Sequence, residues 1–343
     1  MHAKMEDIAR ECGVTKMTVS RVLSHHPSVK AATRKKVLDT AKRLRYEPNA
    51  LAKSFSSNRS GFIGIATPTD ALLGGAYFAE IFKGFRLGIA DDMGYTFALF
   101  DTNSDSFNDG TKLGKLYRQK RVDGLLVVAQ HTHDRFLDTL AGDHHVPMVV
   151  VGEKPSSPRV CSVSCNDAHG IELLCAHLYS LGHRRIAFIE GPPPEYVATA
   201  IRRKNAYTKF CKSKGLENPA WYCQPGNFSM GSGRAAGLVL LKARPRPTAI
   251  IAASDMMAFG AMESARELNL RIPQDVSIAG FDDLPTAAER CPSLTTVHQP
   301  ALEMGQRGAK ILQHSLNTGE SPSGHTVMEI SVVIRESTAA PAS

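Results

Sequence analysis

The stretch GVTKMTVSRVL, residues 13–23, mixes side chains that bind polyanions with side chains that pack into protein cores. Its hydroxyl, basic and thioether side chains are Thr15, Lys16, Met17, Thr18, Ser20 and Arg21. Lysine and arginine donate to guanine O6 and N7, hydroxyls donate to phosphates, and methionine makes apolar contact with a thymine methyl group. The same pattern fits the basic outer face of an ordinary amphipathic helix, so these residues alone leave both interpretations open.

The excess positive charge is confined to the first sixth of the chain. Residues 1–60 contain 13 Lys and Arg and 5 Asp and Glu, which gives a net charge of +8. The totals for the whole chain are 41 and 33, so the remaining 283 residues contain 28 of each class. A solvated helix face does not explain so sharp a partition. We therefore predict that this segment binds a polyanion such as nucleic acid.

Sequence motifs of enzymes and metal sites are absent. The chain has no GxSxG, GxxxxGK or HExxH motif, and GSGRAAG at 231–237 is predicted to begin a helix. The histidines His131, His133, His144 and His145 have no carboxylate or cysteine at ligand spacing, so we predict no catalytic residue, no metal and no cofactor. Seven scattered cysteines without a CxxC pair are typical of reduced thiols.

The apolar runs of the chain are too short for a membrane span, which needs about eighteen residues. The N-terminal residues MHAKMEDIAR also lack the apolar segment of a secretory signal. We therefore expect a cytoplasmic protein.

Three short helices are predicted in the basic segment. The first covers 5–12 and ends at Gly13, Thr15 is a suitable N-cap for the second, and the third covers 33–44. The apolar residues predicted to form their common core are Met5, Ile8, Ala9, Cys12, Val19, Val22, Leu23, Val37, Leu38, Ala41 and Leu44. This pattern predicts a helix-turn-helix domain at 1–47. Residues 48–60 are predicted to form a helix too short to be stable alone, followed by a linker.

From residue 62 onward, apolar strand patterns alternate with helix-length segments. The predicted strands are 62–66, 96–100, 124–128, 147–151, 185–189, 248–252 and 276–280. Continuous apolar strands separated by helices indicate parallel sheets covered on both faces. We predict two such sheets, divided near residue 163, with a small-molecule cleft between them.

The chain resembles the lactose/galactose repressor family of bacterial transcription regulators. The resemblance is carried by MEDIARECGVTKMTVSRVL, TRKKVLDTAKRLRYEPNALAKSF, HLYSLGHRRIAFIEGP, ASDMMAFGAMESARELNLRIPQDVSIAGFDD and PSLTTVHQP, which occur in that order over nearly the whole length. It implies an all-α DNA-binding head, a hinge helix, and a core of two Rossmann-like lobes similar to a periplasmic sugar-binding protein. It also implies a homodimer on a pseudo-palindromic operator, and the lack of a leucine heptad after VVIRES favours a dimer over a tetramer. A secreted sugar-binding protein is the competing interpretation, and the basic head argues against it.

The resemblance implies roles for residues of the head and hinge. It makes Lys16, Met17 and Arg21 candidates for reading base edges. The residues implied in phosphate contacts and in the hinge on DNA are Thr15, Thr18, Ser20, Asn49 and Ala52. Phe55 stands where relatives have a leucine that wedges into the minor groove, and phenylalanine is also a known wedge residue. Alternatively, Phe55 packs on its own core.

The resemblance also implies an effector site. Arg203 and Asp282 match the charged residues that bind a polar ligand, and the remaining candidates are Tyr77, Phe78, Phe228, Ser254 and Gln299. The three aromatic residues resemble those of purine-binding members, but they also suit the apolar face of a sugar. Val197 stands where an arginine is expected for a purine, and Ser254 replaces the usual asparagine. We predict a repressor that responds to a carbohydrate or sugar acid, with a purine or nucleoside as the alternative.

The family resemblance sets the predicted boundaries of the core at 61–336. The first lobe is expected at about 61–163 plus 294–324 and the second at about 164–290 plus 325–336. Residues 337–343 are expected to be a disordered tail.

Overall fold

The computed structural model describes residues 3–23, 27–46, 59–68, 75–89, 94–104, 107–128, 134–193, 198–217, 219–320 and 323–342. The chain divides into two compact units, Met1–Ser60 and Gly61–Ser343. None of the described helices is long and apolar enough to cross a membrane.

The smaller unit contains three helices, α1 (Met5–Cys12), α2 (Lys16–Leu23) and α3 (Ala31–Arg43). Gly13 ends α1 in the left-handed conformation, at φ 66°, and its N–H donates to the carbonyls of the last turn. The apolar core that joins the three helices contains Ile8, Ala9, Cys12, Val19, Val22, Val37 and Ala41. These helices confirm the predicted helix-turn-helix class of the head.

Leu38 does not belong to this core, and its predicted burial is wrong. It is 39% exposed, whereas Thr40 is buried beside Val37 and Ala41. One residue along a helix turns by about 100°, so Leu38 leaves the face of Val37, while residues three and four positions on return to it.

The larger unit contains two sheets, as predicted from the sequence, and each sheet has six strands rather than the seven in total that were predicted. The strands are β1 (Phe62–Thr67), β2 (Thr96–Asp101), β3 (Gly124–Val128), β4 (Met148–Val151), β5 (Cys161–Cys165), β6 (Ile186–Ile189), β7 (Cys223–Gln224), β8 (Ala249–Ala252), β9 (Ser277–Asp282), β10 (Thr295–His298), β11 (His325–Met328) and β12 (Ser331–Val333). The strand orders are β11-β5-β4-β3-β1-β2 and β12-β10-β9-β8-β6-β7. Every pair is parallel except β10 with β12. We call the units built on these sheets the first and second lobe.

Helices cover the sheets. They are α4 (Ala76–Gly88), α5 (Thr111–Arg118), α6 (Asp134–Asp138), α7 (Asp167–Ser180), α8 (Ala198–Ser213), α9 (Met230–Lys242), α10 (Asp255–Glu267), α11 (Pro285–Glu289) and α12 (Ala301–Thr318). Where α4 crosses α12, the two backbones touch at Gly84 and Gly305. A Cβ atom on either glycine would lie within about 2 Å of a backbone oxygen of the other helix, so these positions require glycine.

The chain crosses between the lobes three times. After residue 294, β10 and β11 each lie in the other lobe from the one predicted. β10 lies in the second sheet and pairs with β9, α12 packs on the first sheet, β11 extends β5 in the first sheet, and β12 returns to the second. The sequence placed 294–324 in the first lobe and 325–336 in the second. Strands of three or four residues complete whichever sheet edge they reach, and their short patterns do not identify that edge.

The C-terminal segment is packed on the second lobe, although we predicted it to be disordered. Ser337 is fully buried; its hydroxyl donates to the carbonyl of Ile278 at 2.6 Å and accepts from the N–H of Thr295 at 2.8 Å. The carbonyl of Ala339 lies 2.8 Å from Nε2 of the buried His183. These polar contacts fix residues 337–339, because buried strand ends need hydrogen-bond partners.

Candidate functional site

The first turn of α2 presents the side chains that the sequence selected for DNA. Thr15 caps the helix, since its Oγ1 accepts from the N–H of Thr18 at 3.1 Å. Met17 is 64% exposed, which is unusual for a large apolar side chain. Ser20 and Arg21 are exposed as well. The outer face of α2 is therefore open for contact, while Val19 and Val22 anchor its inner face in the core.

Lys16 already forms an ion pair on this surface. Its Nζ pairs with Oε1 of Glu6 on α1 at 2.5 Å, and this hydrogen bond raises the pKa of Lys16 and lowers the pKa of Glu6. Both side chains are more than half exposed, so the pair costs little to break. Lys16 can contact a base only when its ammonium group leaves Glu6. Asn49, Ala52 and Phe55 lie outside the described residues, and their roles stay predictions.

The candidate effector residues of the second lobe lie at the carboxyl ends of parallel strands. Ser254 follows β8, Asp282 ends β9, and Gln299 follows β10. Arg203 reaches the same edge from α8. Ligands of parallel α/β sheets bind at this edge, because the loops and helix starts after the strands converge there.

Arg203 is the centre of this group. It is 5% exposed; its Nε donates to Oδ1 of Asp167 at 2.9 Å, its Nη1 to the carbonyl of Ala253 at 2.6 Å, and its Nη2 to Oε1 of Gln299 at 3.1 Å. The guanidinium also lies over the ring of Phe281, 3.6 Å from its centroid. Arg203 is thus held rigidly at the strand ends.

Asp282 faces Arg203 without a hydrogen bond between their side chains. Its Oδ1 is 3.9 Å from Nη1 of Arg203, and it is only 8% exposed. Burial raises the pKa of Asp282 well above its usual range, against the lowering effect of Arg203, and the nearby Asp255 raises it further. Its backbone has φ 128°, a conformation that L-residues rarely adopt. The carboxyl group therefore keeps acceptor capacity for a ligand.

Two other predicted ligand contacts already have partners in the chain. The hydroxyl of Ser254 caps α10 by accepting from the N–H of Met257 at 3.3 Å. Gln299 accepts from Arg203 and donates its own N–H to the carbonyl of Asp282 at 3.2 Å. Gln299 therefore positions both members of the charged pair, whereas Ser254 fixes the start of α10.

Tyr77 and Phe78 belong to α4 of the first lobe. The hydroxyl of Tyr77 is buried and has no hydrogen-bond partner among the described residues, and burial raises its pKa well above the usual range. Asp282 and Asp167 raise this pKa further and Arg203 lowers it, so the hydroxyl lies within electrostatic range of the charged group. Phe78 stacks on Phe82, with ring centroids 6.1 Å apart, and so extends the core of the first lobe. An unpartnered buried hydroxyl is costly and suits a ligand contact.

Phe228 belongs to the second lobe, and in the sequence it is far from the aromatic residues of α4. Its backbone has φ 65°, and its ring covers Gly191, where a Cβ atom would come within 2.7 Å of the ring. It packs partly on the second-lobe core. Among the described residues, no contact joins Phe228 or Phe78 to Arg203, and both rings pack on the cores of their lobes.

Three members of the charged group were not predicted from the sequence, namely Glu153, Asp167 and Arg202. Arg202 donates from Nη2 to Oε2 of Glu153 at 2.8 Å and to Oδ2 of Asp167 at 3.0 Å. The N–H of Thr199 donates to Oε1 of Glu153 at 3.0 Å. The available signal was positional: Glu153 comes two residues after the apolar strand β4, where side chains face the cleft, whereas Asp167 follows β5, which has no continuous apolar pattern.

Glu153 joins the two lobes. It follows β4 of the first sheet and is 2% exposed, whereas Arg202 and Thr199 belong to α8 of the second lobe. Burial raises the pKa of Glu153, and Arg202 opposes this shift. A buried carboxylate held by a guanidinium and a backbone N–H is a strong, geometrically specific contact.

Asp255 is the first residue of α10, close to the candidate site, and the pH dependence of its charge can be tested. It is fully buried, accepts from Thr296 Oγ1 at 2.5 Å and from the N–H of Leu284 at 2.8 Å, and burial raises its pKa to about 6. A raised carboxyl pKa means that its contribution to stability is complete below the unfolded pKa and is lost as pH rises through the folded one. From about pH 5 to 7 this loss amounts to about 1 kcal/mol.

We expect Asp255→Asn to remove this part of the pH dependence. The amide satisfies both partners, because its oxygen accepts from Leu284 and its NH2 group donates to Thr296 Oγ1. Urea unfolding of the wild type, Asp255→Asn and the surface control Asp275→Asn across this pH range measures the difference. The assignment is wrong if the stability of Asp255→Asn falls with pH as steeply as that of the wild type.

The described residues contain no group of three or more His, Cys, Asp or Glu side chains arranged to hold a metal ion. All seven cysteines are free. Cys165 lies near the charged group, and burial raises the pKa of its thiol to about 12, which makes it a poor nucleophile.

Comparison with known proteins finds matches over nearly the whole chain. Residues 4–49 match the model for bacterial regulatory proteins of the lacI family, and residues 175–338 match a periplasmic binding protein-like domain. The HTH-type transcriptional repressor PurR of Proteus mirabilis (strain HI4320) is 34% identical over 90% of this chain and 89% of its own. The ribose operon repressor of Escherichia coli (strain K12) is 32% identical over 92% and 93%. The structure of the lac repressor dimer bound to operator and the anti-inducer ONPF superposes with a TM-score of 0.85, at 28% identity, and covers 99% of this chain and 100% of that one.

Proposed function

We propose that this chain, which belongs to the lacI family of bacterial regulatory proteins, is a transcriptional repressor whose operator binding responds to a carbohydrate or sugar acid in the cleft. The observation that carries the proposal is the rigid Arg203 facing Asp282 at the strand ends, with the unpartnered Tyr77 hydroxyl beside them. Fixed charged groups favour a polar ligand, because a ligand that lacks matching groups leaves them unpaired. In this proposal the repressor acts in the bacterial cytoplasm as a homodimer on a pseudo-palindromic operator.

A purine effector is the second candidate. The pair Tyr77 and Phe78 on α4 and the similarity to the PurR repressors favour it. Against it, Phe78 is stacked on Phe82, and the predicted arginine contact is replaced by Val197, which lies outside the described residues.

The proposed function is tested on the full-length protein with selected operator DNA. Duplexes are first selected from a random pool, and the affinity for the selected duplex is then measured with sugars, sugar acids, purine bases and nucleosides. We expect a palindromic consensus and a change in affinity with a carbohydrate-type compound. A selection without a consensus contradicts the repressor assignment, and a response confined to purines favours the second candidate.

The exposed Met17 gives a prediction for base recognition. We expect Met17→Ala to change the preference at one operator position by about 1–3 kcal/mol, because apolar contact with a thymine methyl group is lost. Selection from a randomised operator pool measures this preference. Ser20→Ala is the matched control, since a phosphate contact carries no base preference. The same consensus for Met17→Ala and the wild type would show that Met17 reads no base.

A further inference from the structure

Both guanidinium groups at the cleft are already engaged by this chain. Arg203 bonds to Asp167, Gln299 and the Ala253 carbonyl, and Arg202 bonds to Asp167 and Glu153. Three carboxyl groups, those of Glu153, Asp167 and Asp282, face these two cations. The described part of the cleft therefore has no excess positive charge to receive an anionic ligand.

Glu153 occupies a position that an anionic ligand group requires. Its two oxygens accept from Nη2 of Arg202 and from the backbone N–H of Thr199, which together form a binding site for a carboxylate or phosphate on α8. An incoming anion has to displace Glu153, and a carboxylate with 2% exposure then loses both partners without gaining water.

The groups that keep free capacity are suited to hydroxyls. Asp282 is not hydrogen-bonded to Arg203 and can accept, while the buried hydroxyl of Tyr77 has no partner among the described residues. Acceptors and neutral hydroxyls fit a polyol, in which each hydroxyl both donates and accepts.

We propose that Glu153 determines effector specificity: it is a built-in carboxylate that neutralises Arg202, so that the cleft accepts a neutral polyhydroxylated effector and rejects sugar acids and sugar phosphates. This proposal rests on the proposed function of the cleft and narrows its ligand class. Exclusion works through the contact between the lobes, because the pair from Glu153 to α8 must break before an anion can bind.

The first test uses ligand pairs that differ in one charged group. Dissociation constants are measured by calorimetry for glucose and glucuronate, galactose and galacturonate, and ribose and ribose 5-phosphate. In the wild type we expect binding only by neutral members. In Glu153→Gln we expect the ratio of neutral to anionic affinity to shift toward the anion by about tenfold or more, because Arg202 loses one of its two carboxylate partners and keeps only Asp167. Glu190→Gln is the matched control, since Glu190 pairs with Lys204 of α8, and that lysine is about half exposed.

The second test does not require the effector. Glu153→Ala leaves Arg202 and the Thr199 N–H without their carboxylate, and added acetate can fill the vacated space. At constant ionic strength, replacing chloride by acetate is expected to raise the Tm of Glu153→Ala by about 2–4 °C and to leave the wild type and Glu190→Ala unchanged. If Glu153→Ala does not fold, Glu153→Gln is measured with sulfate, and the same direction of change is expected.

An anionic compound that binds the wild type more tightly than its neutral partner overturns the proposal. So does a Glu153 variant whose Tm responds to anions no more than the Glu190 control. The failure of the proposed function is a separate outcome, since it appears as a cleft ligand that binds but does not change operator affinity.

Discussion

Asp282→Asn is expected to abolish the response of operator binding to the effector while the core stays folded. The carboxyl group faces the cleft without a hydrogen bond to Arg203. The amide has no negative charge and presents an NH2 donor in place of one acceptor oxygen, so the charge-assisted contact with a ligand hydroxyl is lost. Loss of a buried, charged hydrogen bond costs about 2–5 kcal/mol, which removes most micromolar affinity. Core stability is expected to be equal or higher, because burial already disfavours the charged form of Asp282.

Arg203→Ala provides the contrast to Asp282→Asn. Arg203 is bound to Asp167, Gln299 and the Ala253 carbonyl, so its removal deprives two buried acceptors of their donor and leaves Asp167 with Arg202 as its remaining cationic partner. We expect a loss of effector response together with about 3–5 kcal/mol of core stability. Calorimetric titration with the effector, urea unfolding and operator binding without effector distinguish the two variants. Unchanged effector affinity in Asp282→Asn would remove this residue from the site.

A fragment of residues 61–343 is expected to lose specific operator binding by roughly 10³-fold or more. The net charge of +8 lies within residues 1–60, and the remaining chain is neutral. For the full-length protein, log affinity is expected to fall with log salt at a slope of about −0.9 per phosphate neutralised. The measurement is a fluorescence anisotropy titration over a series of salt concentrations.

The control for this experiment is the fold of the fragment itself. Residues 61–343 form a compact unit, so the fragment is expected to unfold cooperatively and to bind effector as the full-length protein does. A folded fragment that binds the selected operator with the affinity of the whole chain would contradict the assignment of DNA binding to the head.

The sequence was sufficient for the elements whose periodicity is long and regular. The helices of the head and strands such as β3, a run of five apolar residues, were predicted within one or two residues. β5, with the sequence CSVSC, was missed although all five residues are buried, because its serines and cysteines weaken the apolar pattern. Ser162 and Ser164 are satisfied by His325 of β11, a partner 163 and 161 residues away in the chain, respectively.

The candidate site was only partly predictable, because some of its contacts join residues that are far apart in the chain. Arg203 and Asp282 were identified by family resemblance, and the structure brings them within 3.9 Å of each other. Apart from its position after β4, Glu153 carries no signal, since a glutamate followed by lysine and proline is ordinary in sequence. Its role depends on the contact with Arg202 across two lobes, and this contact exists only after the tertiary fold is known.

The three crossings between the lobes also determine the order in which the protein can be completed during synthesis. The first sheet lacks its β11 edge until residue 328 has left the ribosome, and the second lacks β10 and β12 until residues 298 and 333 have done so. Neither lobe is therefore a finished folding unit while the other is still being made, because three of the ten strand pairings in the described residues, those of β10, β11 and β12, form only at the end of translation. A chain that stops early is left with two open sheet edges. It is expected to be removed by proteases or to aggregate, and a half-length fragment with a working DNA-binding head and a stable first lobe is not expected to accumulate.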